Sequence, residues 1–351
     1  MRMTTKVFGP ALVLTVPSSF ANDSGIYSIT PHTARQIQWR DGHIRTVEGA
    51  VFLGLRLAPV ASTPPERYTH VLPANSSKPS VNLPVYESSR IDGELSRVHP
   101  FEYPFARVLV YWGCGESVSK GQPRVHAADP DQVRLSRRLA PSPALTAHDR
   151  QTTQSLRGGQ HYAFTDASLD SPSTLEGKHV LQGPTFRHSF QIAPQRGFLP
   201  PVDVVQASIS TEHGAQVKWE STRGAVAYFA STFLQHAGSR DVVVWTSSRI
   251  PEAGWLLARD HPGREAMSQL LARGVLLPPE ATSCTLPRAV LQHARGTLVL
   301  HLSAYGEESK LHTEVSTTTA PIEVQLRARA TTSIMFTGLE ATAGATTRPP
   351  I

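Results

Sequence analysis

From Val51 to Leu57 the chain alternates, with Val51, Leu53, Leu55 and Leu57 separated by larger aromatic, small or charged neighbours. A period of two is the mark of a half-buried strand, here predicted over 46–60 and ended by Pro64-Pro65. Val71-Leu72-Pro73 and Val81 to Tyr86 are short apolar runs cut by proline. Proline lacks the ladder donor, so these suit edge strands. Residues 106–112, Ala-Arg-Val-Leu-Val-Tyr-Trp, predict the strongest strand of the first half, turned by Gly113-Cys114-Gly115. Further strands are expected at 202–210, 215–219, 225–234, 241–247 and 298–305, with one more hairpin from 324–329 and 334–336. The one helical period lies at 262–273, where Ala266, Met267, Leu270 and Leu271 share a face and Gly274 can end the helix.

Between 126 and 174 this patterning lapses into Asp129-Pro130-Asp131, Pro141-Ser142-Pro143 and Arg157-Gly158-Gly159. Sparse apolar residues without a period read as a linker or irregular excursion. At 351 residues the chain exceeds a typical single domain. The expectation is therefore a mainly all-β protein of two β-sandwich-like domains, 22–125 and 175–337, with one short helix inserted in the second. A Thr/Ala/Pro-rich tail, 338–351, is expected to be disordered.

The N-terminus adds a location. Arg2 and Lys6 precede an apolar stretch from Val7 to Val16, and Ser19 and Ala21 stand at the places a signal peptidase requires. Residues 1–21 thus read as a signal peptide cut before Asn22, the alternative being a buried first strand. Removing two basic residues and no acids takes the net charge from +6 to +4. The basic residues are scattered apart from Arg134, Arg137 and Arg138, and no nucleic-acid motif accompanies them. No later segment has the roughly 20 apolar residues of a spanning helix. The expected setting is the periplasm or cell exterior, with envelope components as partners and neither nucleic acid nor a transmembrane span.

Candidate chemistry is sparse. Cys114 and Cys284 are the only cysteines, both in turn-like settings, and in an oxidising compartment a pair is expected to bond. The alternative is two buried thiols that never meet. Cys114 lies between glycines after a strand, but Gly-x-Cys-x-Gly is not met, so the segment is not a nucleophile elbow. The 15 histidines lack metal-ligand spacing and read as surface residues; no metal or cofactor is expected. Glu307 and Glu308 after the strand at 298–305, and Glu116 after the Cys114 turn, are candidate acids should one be buried. Trp219, Tyr228 and Trp245 on alternating strands read as core, the alternative being a sugar-stacking platform that would include Trp255.

Two resemblances bear on these residues. The order Val217-Lys218-Trp219, Ala225 to Phe229, Val242 to Trp245 and Leu302 to Gly306 is similar to the fibronectin type III pattern. It covers roughly 200–335 and is interrupted by the helix, which ordinary modules lack. Trp112 to Glu116, Gly121-Gln122-Pro123, Leu175 to Gly183, Val244 to Ser248, Cys284 to Pro287 and Ala304 to Glu308 together resemble an exported bacterial protein family of unassigned function. That resemblance implies an envelope location and leaves chemistry open. The sequence therefore predicts a non-catalytic envelope or periplasmic binding or structural protein. The alternative is a hydrolase of an envelope polymer acting through Glu116, Glu307 or Glu308.

Overall fold

The structure, a computed structural model, describes residues 25–60, 67–87, 107–127, 161–171, 173–184, 186–235, 241–251, 261–294, 296–315 and 322–339. The signal-peptide segment, Trp255 and the tail from 340 onward lie outside these. The described chain is mostly β, as its alternation predicts. Its first strands are β1 (Gly25–Arg40), β2 (His43–Val60), β3 (Arg67–Val71), β4 (Ser80–Glu87), β5 (Arg107–Trp112), β6 (Arg124–Ala127) and β7 (His161–Leu169). They are followed by β8 (Gly177–Gln182), β9 (Arg187–Ile192), β10 (Val204–Ser210), β11 (Gly214–Trp219), β12 (Ala225–Gln235) and β13 (Asp241–Thr246). Helix α1 (Arg264–Ala272), β14 (Ser283–Leu286) and the short helix α2 (Arg288–Leu291) come next. The chain then runs through β15 (Gly296–Gly306), β16 (Ser309–Leu311), β17 (Thr313–Val315), β18 (Ile322–Leu326) and β19 (Arg329–Leu339).

The hydrogen-bonded strand order is β17-β9-β8-β3-β4-β7-β2-β1-β19-β15-β12-β13-β5-β6, with a separate three-stranded sheet β10-β11-β14. This pairing does not follow the expected division at 126–174. Strand β5, from the first half, lies parallel to β13 of the second, and β8 of the second half pairs with β3 of the first. Nor is 161–169 irregular: β7 pairs with β2 along Val51 to Val60 and with β4 at Val85 to Glu87. Two of its inward positions, Ala163 and Ala167, are small and only Leu169 is large, so the alternation carries little hydrophobic signal.

Strand β1 joins the two ends of the molecule. Its first residues, 25–29, run parallel to β18 and its later ones, 32–39, parallel to β19. The expected hairpin between 324–329 and 334–336 is therefore not formed; the two strands succeed one another along β1. The Arg327 N–H donates to the Ile29 carbonyl at 2.9 Å at the joint between them. Pro84 marks a similar change of partner. Strand β4 pairs with β3 up to Pro84 and with β7 from Val85 onward, so the missing proline donor falls at the switch.

Two main cores result. One lies between the three-stranded sheet and strands β5, β12, β13, β15 and β19, and contains Trp219, Tyr228 and Trp245 at 2 %, 0 % and 0 % exposure. The other gathers Tyr27, Ile29, Leu53, Leu55, Leu57, Leu181 and Phe190. Helix α1 packs Ala266, Met267 and Leu270 against Ala227, Phe229 and Tyr305 on the other side of β12 and β15. It ends as its sequence predicts: Gly274, at φ +68°, donates its N–H to the Leu271 carbonyl at 3.0 Å.

Candidate functional site

Cys114 and Cys284 are bonded, with sulfurs 2.06 Å apart across 170 residues of sequence. The turn after β5 places Cys114. Gly113 adopts φ +93°, its N–H bonds the Thr246 carbonyl, and its own carbonyl accepts the Trp245 indole N–H at 3.0 Å. Cys284 sits on β14 opposite Val217 of β11. The Gly115 N–H donates to the Thr285 carbonyl at 2.8 Å, so the turn is stitched to the small sheet by a backbone bond as well as the disulfide. The Gln122 amide accepts from the Trp112 N–H and donates to the Trp112 carbonyl, both at 2.9 Å, standing in for a neighbouring strand. A bonded Cys114 has no thiolate and is no resting nucleophile.

The three candidate acids occupy two places. The Glu116 carboxylate accepts from the exposed His213 ring at 3.1 Å, and this bond raises the His213 pKa. Glu307 and Glu308 lie at the N-terminus of α1. The exposed Glu307 carboxylate accepts from Arg264 Nη2 at 3.0 Å. Glu308, 9 % exposed, accepts from the Arg264 backbone N–H and from Arg327 Nε, each at 3.0 Å. A carboxylate there satisfies an unpaired helix donor and meets the positive end of the helix dipole. Close by, His261 fixes the approach to the helix: its Nε2–H donates to the Gly306 carbonyl and its Nδ1 accepts from the Gly263 N–H. Each acid is thus engaged with a basic side chain, and Glu308 also serves a helix end. At Glu308 the arrangement offsets the Arg327 charge and fixes the backbone that enters the helix.

The histidines correct the sequence expectation, for several are interior. His70, His179, His188 and His261 are all nearly fully buried. Tyr27 Oη, His70 Nδ1 and Nε2, His179 Nδ1 and Nε2, and the Leu175 carbonyl form a continuous chain with spacings of 2.5, 2.8 and 2.7 Å. Phe190 stacks on His179 with centroids 5.3 Å apart. His188 lies on the same inward face of β9, and neither of its ring nitrogens has a partner. Burial lowers the pKa of His70 to about 3 and also lowers those of His179 and His188. His32 falls to about 3 through burial and, second, the neighbouring Arg329 charge. Inward parity was the available signal: His179 alternates with Leu181, and His188 with Phe190 and Ile192. On the outer face of β12, Ser231 stands opposite both Thr246 and His301, and the Ser231 and Thr246 hydroxyls are buried without partners. Among the described residues no group of three or more His, Cys, Asp or Glu side chains could hold a metal ion. No described helix is long and apolar enough to cross a membrane.

No protein-family model and no curated protein sequence matches the chain. Among solved structures, it aligns with the Fcho1 mu homology domain of Danio rerio with bound Eps15 peptide at 11 % identity and a TM-score of 0.23, covering 90 % of this chain and 97 % of that one. It also aligns with the yeast delta-COP-I mu-homology domain complexed with a Dsl1 WxWxV peptide, at 9 % identity and a TM-score of 0.25, covering 90 % and 98 %. At such scores the likeness carries no argument about fold or function.

Proposed function

We propose that the chain is an exported protein of the cell envelope or periplasm that binds or braces envelope components without turning them over. The observation that carries this reading is the Cys114–Cys284 bond. Disulfides persist in oxidising compartments and are rare where cytosolic reductants act, so the bond favours export. It agrees with the signal-peptide pattern of residues 1–21 and with the resemblance to an exported family. The hydrolase reading is disfavoured because Glu116, Glu307 and Glu308 are each paired with a basic side chain, His213, Arg264 and Arg327 respectively.

The test pairs location with turnover. The protein fractionates with periplasm or envelope in its native host, and purified protein co-sediments with peptidoglycan or envelope polysaccharide without releasing soluble fragments. A bell-shaped pH profile of fragment release, abolished by Glu116→Gln, Glu307→Gln or Glu308→Gln, contradicts the non-catalytic reading.

A further inference from the structure

The chain of groups from Tyr27 to Leu175 has a direction that its chemistry dictates. A carbonyl only accepts, so at the Leu175 end His179 Nε2 carries the hydrogen. In a neutral ring His179 Nδ1 is then an acceptor, and His70 Nε2–H donates to it. His70 Nδ1 is in turn an acceptor, and the Tyr27 hydroxyl donates to it. With both imidazoles neutral, the three bonds are made together only when both rings are Nε2–H tautomers.

The chain also spans the second core. Along the hydrogen-bonded path β1 and β3 are four steps apart, which on a flat sheet is about 19 Å at the usual strand spacing of roughly 4.8 Å. Tyr27 on β1 nevertheless touches His70 on β3, so the sheet folds back on itself and this hydrogen bond crosses the interior. The next bond passes from β3 to β8. Tyr27, His70 and His179 are each 0 % exposed, and their surroundings are Leu181, Phe190 and the other apolar side chains of this core. Among the described residues, the buried titratable side chains on these strands are Tyr27 of β1, Tyr68 and His70 of β3, His179 of β8 and His188 of β9. None of these supplies a negative charge at neutral pH.

We propose that the Tyr27–His70–His179–Leu175 chain is an acid-released tie between the two opposing walls of this core. A proton added at His179 Nδ1 sets two donors against each other at 2.8 Å. The chain can relieve this only by shifting every hydrogen one place, so that His70 Nδ1 donates to Tyr27 Oη. The Tyr27 hydroxyl hydrogen is then left without an acceptor in apolar surroundings. Either arrangement buries a cation without a counter-ion, which is costly, whereas the opened state hydrates it. Acid therefore favours parting β3 and β8 from β1. The lowered pKa of both rings agrees with this geometry.

Two readouts test the tie in the whole chain. Ring ¹⁵N NMR at pH 7.5 and 5.0 reads tautomer and charge: His70 and His179 remain neutral Nε2–H tautomers in the folded protein at both values, while the exposed His213 is protonated at pH 5.0. Thermal midpoints followed across this range give the protons taken up on unfolding. The His70→Gln/His179→Gln variant takes up fewer protons than the parent near pH 5, by at least about one and at most about two, since each depressed ring gains protonation when it unfolds. Ordinary titration of either ring near 6.5 in the folded state, or equal proton uptake by parent and variant, overturns the proposal. If the double variant does not fold, the ring spectra of the parent decide alone.

Discussion

The Trp219 indole and the Tyr228 phenol meet across the larger core, ring centroids 5.6 Å apart and planes inclined at 56°. One belongs to the three-stranded sheet and the other to the large one, so the contact fastens two layers that share no strand. The Tyr228 hydroxyl accepts the Thr222 N–H at 2.7 Å, which also fixes the turn between their strands. Trp219→Ala is expected to cost about 3–5 kcal/mol, the range for truncating a large buried aromatic. The indole N–H of Trp219 has no partner, so Trp219→Phe loses no hydrogen bond and costs distinctly less. Urea denaturation of both variants checks this; a loss below about 1 kcal/mol for the alanine would mean an exposed side chain.

Glu307 and Glu308 are adjacent in sequence and differ sharply in surroundings. Glu308→Gln breaks a nearly buried ion pair with Arg327 and weakens the helix N-terminal contact, an expected cost of about 3 kcal/mol at the low end for such pairs. Glu307→Gln removes only a pair 65–66 % exposed on each side and is expected to change stability by less than about 0.5 kcal/mol. Equal effects of the two substitutions would contradict the helix-capping role of Glu308.

His32 gives a pH dependence with a definite sign. Its folded pKa is depressed to about 3 against an ordinary 6.5, so the unfolded chain binds the proton more tightly. Its contribution is fully present above about pH 6.5 and is lost as the pH falls toward 3, at up to about 1.4 kcal/mol per pH unit. His32→Gln should flatten the fall of stability across that window by about one proton's worth. A profile no flatter than the parent's would show that His32 is not held neutral by the fold.

Much of the β framework was legible in the sequence. The alternation of Leu53, Leu55 and Leu57 is buried as read, and the helix at Arg264–Ala272 ends at its glycine. The disulfide was anticipated because a chain with only two cysteines offers only one possible pair. What was not legible has two causes. Strand pairing joins residues far apart, such as His32 with Arg329, and local periodicity carries no information about partners. Buried polar groups are invisible to a hydrophobicity pattern: His70, His179 and Asp241 look like surface residues until their partners are known.

The interleaving of the two halves has its own test. Trypsin is expected to cut first near Arg137, Arg138, Arg150 or Arg157, where the composition is poorest in apolar residues. The pairings of β5 with β13 and of β3 with β8 predict that the two products stay associated on native size exclusion even after reduction. Separation of two folded pieces under reducing conditions would contradict the shared sheet.

Removing the disulfide should be costly because the closed loop is long. For a separation of 170 residues, the chain-entropy argument gives an upper figure of about 5 kcal/mol. Cys114→Ser/Cys284→Ala is expected to unfold at lower denaturant than the parent and to be indifferent to dithiothreitol, whereas the parent falls to the level of the variant when reduced. Insensitivity of the parent would show that the bond contributes nothing.

Export and the Cys114–Cys284 bond are tested together by non-reducing peptide mass spectrometry on protein taken from its native host. Free thiols are alkylated at lysis. The expected result is one linked peptide pair containing both cysteines, together with a mature N-terminus at or near Asn22. Complete alkylation of Cys114 and Cys284 without reduction, on a chain that still begins at Met1, would contradict it.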